Sequence, residues 1–261
     1  MGVVKGTAKD IFKSRFILSQ MVKKNVKSQY RNSVLGILWT VLNPLLNMAV
    51  MAVVFSQLFG RGIENYPVYL LTGNIIFNLM RASTEQSLTC IEGNAGLLTK
   101  VKIPYFVFPV SHLLSAFVSF CFSFVALLIV MLVLGTPIRF TILMVLPFLP
   151  SLLMFTLGMS LILATMYVFF KDTKHLYSVF LTLWTYCTPL FYSANDLPDF
   201  LQSVMQFNPM FHYVEYFRQI TIGGIVPSLL EHWICYGIGL EFLLIGILIF
   251  NWKSRKFILH I

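Results

Sequence analysis

Charge is what this chain has least of. Only 11% of its 261 residues are charged, and just 10 of those are Asp or Glu, where a soluble domain carries about 25% charged residues. With 57% hydrophobic residues and a mean hydropathy of +0.80, too little polar surface remains to cover a water-facing globule. The natural solvent is a bilayer. Other absences narrow the chemistry. The four cysteines, Cys90, Cys121, Cys187 and Cys235, stand far apart in or beside apolar segments, so neither a zinc site nor a disulfide framework is indicated and buried single thiols are expected. The five histidines form no H-E-x-x-H pair, and no G-x-S-x-G elbow occurs. "GNAGLLTK" has neither the spacing nor the final Ser or Thr of a phosphate-binding loop, so the chain is not expected to bind ATP by one. Asp196 and Asp199 form the closest outer carboxylate pair; they flank Pro198 as helix-start residues do. The first thirty residues are basic and mixed, without the compact apolar core of a cleavable leader.

What the chain has in plenty is long apolar runs. Six spans are expected: Val34–Phe59, Pro67–Ile91, Tyr105–Leu134, Phe140–Phe170, Leu176–Tyr192 and His232–Trp252. The net charge of +9 does not point to nucleic acid, because the basic residues flank these runs instead of forming a module of their own. With both ends inside, fifteen Lys and Arg fall in inner segments, and Arg61, Arg139 and Arg218 in outer ones. That asymmetry sets the orientation. Before the first span, Leu18, Val22, Val26 and Tyr30 recur every fourth residue beside Lys23, Lys27 and Arg31, as in an amphipathic helix lying in the headgroup layer. Between the fifth and sixth spans, Pro198, Pro209 and Gly223-Gly224 punctuate two short apolar pieces near Phe200–Phe207 and Met210–Ile222. Such pieces suit outer re-entrant helices. The expected fold is therefore an all-α membrane protein. It has six transmembrane helices, an N-terminal interfacial helix, and re-entrant helices between spans 5 and 6.

Two spans carry polar stripes. Gly36, Thr40, Asn43 and Asn47 lie on one face of the first, where Pro44 is expected to bend the helix. Asn74, Asn78, Arg81, Glu85, Thr89 and Glu92 step by threes and fours along the second. Ions and amides at that depth must face protein or a wet path. Trp39, Thr40, Asn43, Asn47, Asn78, Arg81 and Glu85 are thus candidates for a translocation path or for a contact between two copies. Arg81 and Glu85 are placed to pair with each other, or Glu85 to hold Arg81 against an anionic head group.

"YRNSVLGILWTVLNPLL", "GNAGLLTKVKIPYFVFPVS", "VFFKDTKHL", "TPLFYS" and "FNPMFHYVEYFRQI" together resemble the ABC-2-type permeases that export polysaccharides. "FNPMFHYVEYFRQ" looks most like the wall teichoic acid exporters; O-antigen and capsule exporters are the alternative, and a membrane-embedded polyprenyl-lipid transferase the outlier. The resemblance implies an N-terminal segment, 1–33, holding a gate helix, and an ABC-2 transmembrane domain, 34–261. It implies two copies of the permease and two separate ATPase subunits that bind ATP and Mg, with no cofactor in this chain. It also implies a multi-pass place in the bacterial plasma membrane and a polyprenyl-diphosphate-linked anionic glycopolymer as cargo. Lys27, Tyr30 and Arg31 would meet the diphosphate. Asn94, Leu97, Leu98, Lys100 and Lys102 would form an inner helix docking on the ATPase, with Lys171, Asp172 and Lys174 as a second contact.

Overall fold

A computed structural model describes residues 15–29, 36–59, 63, 65–98, 101, 103–194 and 197–259. All regular structure among them is helical. Helix α1 (Arg15–Gln29) precedes α2 (Trp39–Phe59), which starts from a 3₁₀ turn at Gly36–Leu38. Gly36 opens that turn at φ +49°, a backbone conformation glycine adopts without steric cost. Then come α3 (Tyr66–Leu88), the short α4 (Ala95–Leu98), α5 (Val107–Val133), α6 (Val145–Phe169) and α7 (Thr173–Cys187). The chain ends with α8 (Asp199–Met205), α9 (Pro209–Arg218) with its π-helical turn Gln219–Gly223, and α10 (Leu229–Ser254). Helix α2 continues through Pro44.

Four stretches are long and apolar enough to cross a bilayer: Trp39–Ser56, Val107–Val133, Phe140–Phe169 and Leu229–Ser254. They match the first, third, fourth and sixth expected spans. The second expected span is a 23-residue helix, α3, but Thr, Ser, Asn, Arg and Glu dilute it. It is the core helix, with Val68, Leu70, Leu71, Ile76 and Met80 wholly enclosed. The fifth stops early: α7 has 15 residues and ends at Cys187, giving about 22 Å of helix against a hydrocarbon core of about 30 Å. Of the thiols expected to be buried, Cys90 and Cys235 are, whereas Cys121 and Cys187 lie on exposed faces.

Glycines set the tightest contact. Helices α6 and α10 meet where a Cβ on Gly239 would sit 2.5 Å from the Ser151 carbonyl oxygen and one on Gly246 the same distance from that of Gly158. A Cβ on Gly158 would collide with the Phe242 backbone. Small residues let backbones approach closely where apolar solvent gives helices no hydrophobic reason to associate. Tyr213, fully buried on α9, stitches the crossing by donating its hydroxyl to the carbonyl of Cys235 (2.8 Å), with the Ser151 carbonyl oxygen 3.3 Å away on the other helix.

At one end of the bundle the chain breaks after α7, and the carbonyls of residues 189–192 leave the helical ladder. Arg218, 5% exposed, closes that gap. Its Nη1 donates to the Pro189 carbonyl (2.7 Å) and Nη2 to that of Leu190 (3.2 Å), while the guanidinium carbon lies 3.5 Å from the centre of the Tyr69 ring. Tyr66 and Tyr69 donate to the Phe191 and Tyr192 carbonyls at 2.7 and 2.8 Å. Gly73 makes room, since a Cβ there would lie 2.9 Å from Nη2. Asn208 caps α9 by accepting from Met210 N (3.0 Å); it also accepts from Trp184 Nε1 (2.7 Å) and donates to Thr188 Oγ1 (3.0 Å).

The opposite end is basic. There Ile17, Leu18 and Met21 of α1 pack with Ile91, Leu98, Val107, Phe108, Val168, Phe250 and Phe257. The deepest residue of α1 is Met21, not the expected Leu18, Val22 or Val26, which are half-buried. The helix is turned so that Asn25 also faces α5.

Gly158→Leu, which forces α6 and α10 apart, is expected to cost about 3 kcal/mol, read as a lowered thermal midpoint of the detergent-purified protein. Arg218→Met leaves two buried carbonyls unpaired and is expected to cost about as much, roughly 3 kcal/mol. Arg218→Lys, a single ammonium, should recover only part of that in the same measurement.

Candidate functional site

Three helices bring polar faces to one place. From α2 come Thr40, Asn43 and Asn47; from α3, Asn78, Arg81 and Glu85; from α5, Ser115, Ser119 and Ser123. With Trp39 and Asn25 they line a cavity of about 370 Å³. All seven residues expected to form a path or a subunit contact lie on its wall. Thr40 is buried, whereas Asn43, Asn47 and Asn78 are exposed to the opening.

The ions of the cavity are paired. Arg81 Nε donates to Glu85 Oε1 at 3.4 Å, one turn apart on α3, with side chains 47% and 43% exposed. The rest of the expected α3 stripe goes elsewhere. Asn74 donates to the Leu70 carbonyl in its own helix (2.9 Å), and Glu92 lies beyond the helix end. On the far face of α3, Ser83 meets Ser160 of α6 (3.1 Å), and Thr84 accepts from the Tyr177 hydroxyl (2.7 Å). Those polar groups are satisfied inside the bundle, which separates them from the ones that face the cavity.

Sequence reasoning missed the α5 serines. Ser111, Ser115, Ser119 and Ser123 recur every fourth residue in an otherwise apolar helix, and that spacing is a signal that was available. Ser115 and Ser119 donate their hydroxyls back to the carbonyls of Ser111 (2.7 Å) and Ser115 (3.3 Å). At the basic end of the cavity, Asn25 Nδ2 lies 3.4 Å from both Ser111 Oγ and His112 Nδ1, and His112 Nδ1 lies 3.1 Å from Gln86 Oε1. This network ties α1 to α3 and α5. A second cavity, of about 590 Å³, is apolar and lies among α6, α7, α8 and α10, with Phe180, Trp184, Leu201 and Phe242 in its wall.

The expected inner contacts lie at the basic end. Lys171 Nζ pairs with Glu92 Oε2 at 2.7 Å and stands 4.9 Å from the centre of the Tyr167 ring. The two segments expected to be separate contacts are therefore joined. The hydrogen bond from Lys171 holds the Glu92 carboxyl below its ordinary value. The bridge thus persists above the usual carboxylate range and is lost as pH falls through that lowered value. Leu97 is exposed, but Leu98 turns inward onto the apolar cluster, so only one of the two expected knobs is presented. Asn94 is a local brace, donating to the Cys90 carbonyl at 2.7 Å. The Asp172 carbonyl accepts from His175 and Leu176 at the start of α7, and Lys174 is exposed. Lys27 is exposed on α1. Tyr30, Arg31, Lys100 and Lys102 lie outside the described residues.

Water access to the cavity is testable by labelling. With the four native cysteines replaced by serine or alanine, Asn78→Cys and Ser119→Cys are expected to react with a water-soluble maleimide about ten-fold faster than Val53→Cys on the exposed apolar face of α2, because the reacting thiolate forms only where water reaches. Equal rates would contradict a wet cavity.

The description "ABC-2 type transporter" matches residues 18–222. The O-antigen export system permease protein RfbA of Myxococcus xanthus is 30% identical over 222 residues, 84% of this chain and 85% of that protein. The protein of the same name from Klebsiella pneumoniae is 27% identical over 242 residues, 92% and 93% of the two chains. The polysialic acid transport protein KpsM of Escherichia coli is 21% identical over 208 residues, 78% and 81%. A polar cavity between apolar helices thus sits in a chain matched along most of its length, and this chain belongs to the ABC-2 type transporter family.

Proposed function

We propose that this chain is the permease subunit of an ATP-driven exporter that moves a lipid-linked polysaccharide of the O-antigen or capsule class across the bacterial plasma membrane. The observation that carries this reading is the end-to-end similarity to O-antigen export permeases, 92% of this chain in one case. The convergence of amides, hydroxyls and one ion pair on a single cavity supports it. Two copies would work with two ATPase subunits, and α3 and α7 would complete six crossings, α7 with the help of the non-helical residues after it. Helices α8 and α9 would re-enter from the outer side. The lysines and arginines gathered at the end that holds α1 support a cytoplasmic place for both termini. There Lys27, with Tyr30 and Arg31, would attract the diphosphate of the carrier lipid.

The wall teichoic acid reading has less support. Its signature, "FNPMFHYVEYFRQ", is taken up by structural work: Asn208 caps a helix, Tyr213 bridges α6 and α10, and Arg218 holds a broken backbone. Likeness in that segment therefore reports packing more than cargo.

In this reading the Glu92–Lys171 bridge carries movement of the ATPase into the spans as one unit. Depleting the chain should trap lipid-linked polysaccharide on the inner face, read by surface staining and lipid extraction. Lys171→Glu should lower export about five-fold at unchanged membrane level by placing two carboxylates together. The swap Glu92→Lys/Lys171→Glu should restore most of it; a swap no better than the single change would remove the bridge from the coupling route.

A further inference from the structure

The cavity carries a charge pattern that bears on its cargo. Among the described residues of its wall only Arg81 and Glu85 are ionic, and they face each other at 3.4 Å, so the described wall carries no net charge. Everything else polar there is an amide, a hydroxyl or the Trp39 indole. The described lysines of α1 stand outside it: Lys23, Lys24 and Lys27 are exposed on the flank of that helix, and among its described side chains the neutral Asn25 is the one that reaches the cavity.

The serines add a direction. Ser115 and Ser119 give their protons to backbone carbonyls of α5, which leaves their oxygens as acceptors toward the cavity unless the hydroxyl turns away from its carbonyl. A sugar hydroxyl can donate to them. An ionised phosphate or carboxylate has no proton to give, and is met only at the cost of a hydroxyl's bond to its carbonyl. The asparagines serve both roles of a hydroxyl, since each amide donates and accepts. A neutral sugar thus exchanges its water hydrogen bonds nearly one for one. An anion gives up hydration with no net positive charge to receive it, and drawing Arg81 away leaves Glu85 uncompensated.

We infer that the cavity selects an uncharged glycan: the exported polymer has a neutral repeat unit, and negative charge is confined to the carrier-lipid end that the basic flank of α1 meets. This rests on the export reading above and departs from the anionic cargo expected from sequence resemblance.

The polymer itself provides the test. Lipid-linked material that accumulates in cells depleted of the permease is extracted, cleaved from its carrier and passed over an anion-exchange column, and its repeat unit is weighed by mass spectrometry. A polymer that is not retained and lacks phosphate, uronic and sialic residues is expected. A polymer with an acidic group in every repeat overturns the inference while leaving export intact. If nothing accumulates, the export reading falls and this inference with it. The cavity is tested separately, at equal membrane levels. Glu85→Gln, which leaves Arg81 unpaired, is expected to lower surface polymer about five-fold, and Arg81→Gln/Glu85→Gln, neutral again, to recover much of that loss. A double variant as poor as the single one would show that charge balance is not what matters there.

Discussion

A chain with this little charge has almost nothing with which to satisfy a backbone that leaves its helix, and Arg218 is what satisfies it. Hydrocarbon offers carbonyls no water, so non-helical backbone at membrane depth survives only where protein supplies donors. After α7 the chain turns through Thr188, Pro189 and Leu190. A single guanidinium, held against the Tyr69 ring, donates to two of the freed carbonyls, and Tyr66 and Tyr69 serve the next two. Because Arg218 ends α9 and both tyrosines lie in the first turn of α3, the same bonds fix α9 against the core helix. The planar fork of arginine suits this role; the point charge of lysine does not.

Elsewhere in the bundle several polar side chains are closed off in pairs, and others are gathered in one place. Ser83 with Ser160, Tyr177 with Thr84, and Tyr213 with Cys235 and Ser151 are closed, and each joins two helices. The polar faces of α2, α3 and α5 turn toward one another around a cavity. Glycine backbones do for α6 and α10 what polar pairs do elsewhere.

Charge is segregated along the same axis. The basic end gathers the lysines around α1, the Glu92–Lys171 bridge and the apolar cluster under them. The middle carries one self-neutralised pair. A transporter that handles a charged lipid head and an uncharged chain would need this division, because an unpaired ion is tolerable at the interface and costly in the interior.

Composition and periodicity were enough to read an all-helical membrane chain, four of its spans to within about five residues at each end, and the polar stripes of α2 and α3. Such features depend on local length, hydropathy and helical spacing, which every residue reports for itself. The α5 serines were equally legible and were overlooked. Other features needed tertiary structure. Arg218 read as an outer-loop cation, Leu98 as an exposed knob, and the segments at Glu92 and Lys171 as separate contacts, because a residue's neighbours from distant sequence decide whether it is buried, turned inward or paired. Whether the stripes met was also beyond the sequence: spacing fixes which residues share a face, but the rotation of three helices about their axes, which only their packing in the bundle sets, determines what that face looks upon.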